Sequence, residues 1–253
     1  MPFVPFVPRL ALAAGLAFAL AFPAAAPAQI DLGRAIGAAA DLGKAATVTD
    51  DEVKDYARQM RAYEERAREQ VAPPGSPYAK RLAALTDRYR NYDGLVLNFK
   101  VYQSKQVNAN ASADGSIRVY TGLMDLMTDQ ELLFVIGHEI GHVKGGHSAK
   151  AMRTALATSG LRKAATAAAG TSVRIADAQL GGLLEGVVNA QHSQAQEIQS
   201  DDYGLAFMKK NNIPPAAAES ALRKLAGLSK GSATILSSHP DPGKRADRMA
   251  KAR

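Results

Sequence analysis

Thr128-Asp129-Gln130-Glu131-Leu132-Leu133-Phe134-Val135-Ile136-Gly137-His138-Glu139-Ile140-Gly141-His142-Val143-Lys144-Gly145-Gly146 decides how this chain is read. Thr128 and Glu131 form a capping box: the Thr128 hydroxyl can accept from the Glu131 backbone N–H while the Glu131 carboxylate accepts from the Thr128 N–H. A helix therefore starts here. Leu132 to Ile136 are apolar nearly all round, as in a helix buried within a domain. Gly145-Gly146 supplies its stop. His138 and His142 stand four positions apart and so share one face of that helix. Both rings can reach one metal ion, and Glu139, a step around the helix, can touch a water on that metal.

A His-Glu-x-x-His pattern can arise by chance, and a buried helix whose histidines merely hydrogen-bond has the same letters. The cap, the apolar run and the glycine stop favour a zinc peptidase site. Catalytic zinc takes three protein ligands and leaves the fourth position to water, so a third ligand is expected downstream. The chain has no cysteine and only five histidines. His147, five residues past His142 and beyond the glycine pair, reads as a structural residue or one supporting the ligands from behind. His192, in the polar run 189–196, reads as a solvated helix residue. Glu197 is the better candidate, in Gln196-Glu197-Ile198-Gln199-Ser200-Asp201-Asp202-Tyr203, where a second helix brings Glu197 and Asp201 onto one face. Glu197 can bind zinc while Asp201 accepts from the metal-distal nitrogen of a liganding histidine. An ordinary acidic helix face has the same spacing.

Around these segments, Val53 to Gln70 reads as a charged amphipathic helix ended by Pro73-Pro74-Gly75, and a further helix is expected over 78–92. After Gly94 the period changes. Val96, Leu97, Phe99, Val101 and Tyr102 are strand-forming, as are Ile117, Val119 and Tyr120 beyond an Asp114-Gly115 turn, so a small sheet is expected before the zinc helix. Residues 148–189 are alanine-rich, with Gly160, Gly170, Gly181 and Gly182 as breaks; they form either a mobile lid or, the favoured reading, helical packing. Ala216 to Leu228 is helical. The expected fold class is α+β: a mainly helical zincin-type metallopeptidase domain with a small β-sheet beside the HExxH helix.

The pattern His138-Glu139-x-x-His142, Glu197-x-x-x-Asp201 and Ser238-His239-Pro240 with Arg245 resembles the gluzincin peptidases that include HtpX, the CAAX prenyl endopeptidase and soluble periplasmic proteases. Tyr92-Asp93-Gly94-Leu95, Val107-Asn108-Ala109 and Arg118 to Asp125 extend the likeness over most of the chain after Asp51. Ser200 stands where that family usually has alanine, and Asn110 where an aromatic residue is common. The resemblance implies one Zn2+ per chain, held by His138, His142 and Glu197, with Glu139 as general base and Asp201 behind a ligand. It also implies that the strand containing Asn108 and Ala109 lines the cleft and pairs with an extended substrate, although 107–111 read alone is equally a loop. By the same resemblance the 237–242 loop reaches the active site. There His239 either donates to the oxyanion of the tetrahedral intermediate or occupies the fourth zinc position and blocks it, and Arg245 orients the loop or adds positive charge.

Residues 1–28 read as a signal peptide: Arg9, an apolar run from Leu10 to Phe22, then Ala26-Pro27-Ala28 as a small-residue cleavage site. An uncleaved anchor is the other reading, disfavoured because the run is short. Without cysteine the chain needs no disulfide and is no lipoprotein, and the expected location is the periplasm. Residues 29–50, alanine- and glycine-rich, read as a flexible lead-in to a domain over 51–253. The net charge of +7 falls to +6 on removal of residues 1–28, which carry Arg9 and no acid. Basic residues alternate with acids and no aromatic run accompanies them, so nucleic acid is excluded as a partner and weak attraction to anionic membranes is left open. Unfolded polypeptides are the expected substrates, and outer-membrane assembly proteins are partners the resemblance implies. A competing class is a chaperone-like binding protein with a structural or latent metal; the intact Glu139 argues against it.

Overall fold

A computed structural model describes residues 48–158, 175–188, 190–228 and 235–252. The expected signal peptide, its cleavage site and nearly all of the expected lead-in lie outside these residues. The edge of the lead-in is redrawn. Thr49 is the N-cap of α1 (Asp50–Ala67), with a full Thr49/Glu52 capping box, so the first helix begins at the last residue assigned to the lead-in. Helix α2 (Pro77–Thr86) starts from the Ser76 side chain with proline at its first position. It ends six residues short of the expected Tyr92. A 3-10 turn over Asp87–Tyr89 follows, then β1 (Asn91–Tyr92) and β2 (Leu95–Val96) pair antiparallel. The cause is the two-residue turn Asp93-Gly94, both at positive φ, which is compatible only with extended residues on either side.

The main sheet contains β3 (Asn98–Tyr102), β4 (Ala109–Ala111) and β5 (Ser116–Tyr120) in the order β3-β5-β4. Strand β5 lies centrally, parallel to β3 in register Phe99↔Ile117 and Val101↔Val119, and antiparallel to β4 in register Ala109↔Val119. All five β5 residues are buried, as a central strand requires. Residues 109–111 are thus an edge strand, and the loop alternative for them is set aside.

Helix α3 (Thr121–Leu126) leads into α4 (Asp129–Lys144), which carries the predicted Thr128/Glu131 capping box and ends at Gly145. Every α4 residue from Glu131 to His142 is buried. Its Leu132, Phe134, Ile136 and Ile140 share one core with Val101, Ile117, Val119, Phe207, Leu222 and Met249, each contributing on the order of 2 kcal/mol by leaving water. Helix α5 (His147–Thr158) turns back, and α6 (Asp177–Val188) packs with it and α1 around Val53, Met60, Met152, Leu156 and Leu183 in a second core. The described parts of 148–188 are therefore packed helices. Gly181 and Gly182, expected as breaks, sit inside α6, while Gly160 and Gly170 lie outside the described residues.

Helix α7 (Gln194–Lys210) lies against α4. A Cβ on Gly137 would come within 3.2 Å of the Gly204 Cα, and one on Gly141 within 3.0 Å of the Ser200 Cα. Only residues without side chains permit that approach. Helix α8 (Ala216–Ala226), a short turn α9 (Ile235–Ser238) and α10 (Pro242–Ala252) close the domain. Among the described residues, no helix is long and apolar enough to cross a membrane.

Candidate metal centre

Four side chains from three segments converge. His138 and His142 come from α4, Glu197 from the first turn of α7 and His239 from the residue after α9; all are buried, and their ligand atoms lie within 4.8 Å of one another. His138 Nε2 stands 3.0 Å from His142 Nε2. Glu197 Oε1 is 3.3 Å from His142 Nε2 and 3.0 Å from His239 Nδ1. His239 Nδ1 is also 3.3 Å from His138 Nε2. Helix α7 can deliver Glu197 there because its start is fixed by a Ser193/Gln196 capping box. The Ser193-x-x-Gln196 spacing is the sequence signal for this helix start.

Hydrogen bonds behind the cluster aim two lone pairs into it. His138 Nδ1 donates to Asp201 Oδ1 at 2.9 Å, leaving Nε2 as an acceptor facing the cluster. For His142 the relay is longer. His147 Nε2 donates to Gln199 Oε1 at 3.0 Å, so His147 Nδ1 is a lone pair, and it accepts from His142 Nδ1 at 3.1 Å. His142 Nε2 is then also a lone pair. Burial drives the His142 pKa well below its ordinary value, so the ring is neutral, as a metal ligand must be. Two imidazole lone pairs facing each other at 3.0 Å beside a buried carboxylate repel unless a cation lies between them. The donor set of imidazoles and one carboxylate fits a divalent transition metal.

His147 thus stands behind His142, between that ring and Gln199. Ser200, in place of the family's alanine, sets its Oγ 3.4 Å from His147 Nδ1. His192 corrects the expectation. It lies ahead of α7 rather than within a helix, and its ring stacks on His142 with centroids 3.9 Å apart at 32°. Burial, with the His239 charge behind it, holds it down at about 3. The polar letters around it concealed this, because contact with His142 is set by how the loop returns.

Asp201 and Arg245 form a second buried layer. Arg245 Nε donates to Asp201 Oδ2 at 2.8 Å and Nη2 to Oδ1 at 2.6 Å, while Nη1 pairs with Glu197. Burial raises the carboxyls of Asp201 and Glu197, and the cationic and histidine partners outweigh it, holding both below the ordinary carboxylate range. Burial likewise opposes protonation of His239, and Glu197 outweighs it upward. Arg245 thus contacts Glu197 and Asp201 together and does not itself belong to the four-residue cluster. Glu139 lies beside the cluster with Oε1 unbonded, 3.6 Å from His239 Nε2.

Beside Glu139 opens a cleft of about 430 Å3, bordered by Asn108, Asn110, Ala111, His192 and His239. Asn108 lines it directly; Ala109 is buried at 1% exposure within the β4 edge strand, so only its main chain can face a ligand. Asn110, in place of an aromatic residue, accepts from Arg61 Nη2 at 2.8 Å through its Oδ1.

The sequence pattern of Peptidase family M48 matches residues 79–253. The chain belongs to that family. It is 40% identical over 228 residues to metalloprotease LoiP of Escherichia coli K12, covering 88% of this chain and 90% of LoiP. Metalloprotease YcaL of the same organism is 38% identical over 230 residues, with the same coverage. A beta-barrel assembly-enhancing protease of Yersinia pestis is 25% identical over 232 residues, 85% of this chain and 45% of that protein. Family M48 membership accords with the metal-fitting cluster, and this M48 chain is an α+β metallopeptidase by fold.

Proposed function

We propose that this M48 chain is a zinc-dependent endopeptidase of the bacterial periplasm that hydrolyses peptide bonds in unfolded or misassembled envelope proteins. The observation that carries the reading is the convergence of His138 Nε2, His142 Nε2 and Glu197 with an unbonded Glu139 carboxylate oxygen alongside. His138, His142 and Glu197 would hold one Zn2+. Bound there, zinc supplies a Lewis acid that polarises the scissile carbonyl and acidifies water.

The chain's own groups do the rest. Glu139 accepts the proton of the attacking water and later delivers it to the leaving amine. Asp201 and the His147–Gln199 relay hold the tautomers of the two histidines, and Arg245 holds Asp201 and Glu197 in place. The outer edge of β4 at Ala109, with the Asn108 side chain beside it, offers main-chain hydrogen bonds to an extended substrate irrespective of its sequence. That suits unfolded clients, and the name of the beta-barrel assembly-enhancing relative supports outer-membrane assembly proteins as associates. The reading of residues 1–28 as a cleaved signal, with 29–50 leading into the domain, supports the periplasm. His239 Nδ1, at hydrogen-bonding distance from both Glu197 and His138, supports its occupying a fourth ligand position.

The test is cleavage of casein by the purified protein, with zinc measured on the same sample. Wild type cleaves, loses activity to a chelator and regains it with zinc. Glu139→Gln keeps zinc and loses about 10²–10⁴-fold in rate. Zinc bound with no cleavage by either protein, together with casein binding, supports the chaperone-like alternative. His239→Ala raises cleavage at unchanged zinc content; a fall would assign His239 to the oxyanion instead.

A further inference from the structure

The cleft extends from Glu139 and His239 to α1, where Arg61, Glu64, Arg68 and Glu69 line it. Three of those four charges are matched. Arg61 pairs with Glu64, which also accepts from the Tyr102 hydroxyl at 2.9 Å, and Arg68 pairs with Glu185 at 3.2 Å. Glu69 is half-buried and, among the described residues, makes no ion pair; the Tyr120 hydroxyl reaches it only at 3.5 Å. Burial and the Glu64 charge push its carboxyl up, outweighing the Tyr120 hydrogen bond and the Arg61 charge that pull it down.

Polar groups on β4 and at its two ends face the same space. Asn108, Asn110 and Ser112 alternate along the strand and all line the cleft. Ser112, 2% exposed, has no hydrogen-bond partner for its Oγ, and neither has Asn108 for its Oδ1. Buried polar atoms of this kind are normally satisfied, so both are available to water or to a ligand's polar atoms in the cleft.

We propose that Glu69 is the specificity-determining residue of a subsite for a basic side chain, lysine or arginine, of the polypeptide substrate at the α1 end of the cleft. The proposal rests on the peptidase reading above. The chemistry favours a cation over an anion because both arginines lining this end already hold carboxylates, while the remaining charge is one unmatched acid. A long side chain also suits the position: its methylenes can lie along Met60, Leu184 and Val187 while its charged tip reaches Glu69. Helix α1 precedes the matched residues 79–253, so this recognition element lies outside the family's sequence pattern.

The test uses internally quenched peptides of one sequence carrying lysine, alanine or glutamate in turn at each position flanking the cleaved bond. At one position wild type prefers lysine to glutamate about tenfold in kcat/KM, the worth of one charge-assisted contact in a partly solvated cleft. Glu69→Gln abolishes that ratio and Glu69→Lys inverts it. The same peptides are titrated by fluorescence anisotropy against Glu139→Gln, alone and combined with Glu69→Lys. Cleavage without discrimination at any position overturns the subsite and leaves the peptidase intact. Absence of cleavage with lysine-selective binding that Glu69→Lys inverts upholds the subsite and removes the peptidase reading. Binding without charge preference overturns the subsite in either case.

Discussion

A Cβ on Gly141 of α4 would stand 3.0 Å from the Ser200 Cα of α7, a backbone atom, whereas a Cβ on the buried Gly181 of α6 would come no closer than 3.3 Å, to the Tyr63 hydroxyl at the end of an α1 side chain. The two helix systems bordering the cleft thus differ in slack. Helices α4 and α7 meet backbone to backbone, and the α7 carboxylates Glu197 and Asp201 are buried in a network with Arg245 of α10. Helices α1 and α6 meet through Met60, Leu180, Leu183 and Leu184 and through exposed ion pairs, Arg66 with Asp177 and Arg68 with Glu185. Flexible side chains can give way where backbones cannot. In the proposed peptidase the metal would thus be held by the unyielding pair, and the substrate would meet the adaptable one.

The largest test of that contrast is Arg245→Leu. It strands two buried carboxylates and is expected to lower stability by about 3–5 kcal/mol, with loss of bound zinc. Urea unfolding with metal analysis checks it, and an unchanged midpoint would show that the network does not hold α10 to α7.

At the other end of α4, Glu131 is also buried. Burial alone would raise its carboxyl; the Lys224 ammonium and hydrogen bonds from Ser220 and Thr128 outweigh that and hold it at about 2, against an ordinary 4.5. The folded value lies below the unfolded one. Its stabilisation is therefore complete above about pH 4.5 and is lost as the pH falls towards 2. In Glu131→Gln about 2 kcal/mol of that pH dependence should vanish from acid unfolding curves in this window. An unaltered slope would place the acid sensitivity elsewhere.

Gly141→Ala comes next, expected to destabilise by about 1–2 kcal/mol although alanine is the better helix former, because it presses on backbone. The same exchange at Gly181 should stabilise by about 0.5–1 kcal/mol, since its nearest neighbour, the Tyr63 hydroxyl at 3.3 Å, ends a side chain that can shift and α6 gains helix propensity. Thermal midpoints of the two variants should move in opposite directions. Equal signs would erase the distinction between the helix pairs.

Much of the metal centre was legible because it is local. Four-residue spacing puts His138 and His142 on one face and Glu197 and Asp201 on another whatever surrounds them, and the Thr128 cap fixes where the first helix begins. The helix over 78–92 was misread because helix-forming letters outweighed a two-residue turn at Asp93-Gly94 whose pairing decides the local structure. His192 was misread because its neighbours are polar, and polarity along the chain does not report that a ring stacks on His142.

The sequence by itself determined the helix starts, the paired ligand faces and the presence of strands before α4, since each follows from dihedral preference and periodicity within a few residues. Only the tertiary structure decided that β5 lies between β3 and β4, that His239 comes to the ligand cluster and that α1 brings Glu69 to the cleft. Those juxtapositions join residues far apart in the chain, 101 positions in the case of His138 and His239. They are fixed by which surfaces can be buried together, as where Gly137, Gly141 and Gly204 let two backbones touch, and no local pattern carries that information.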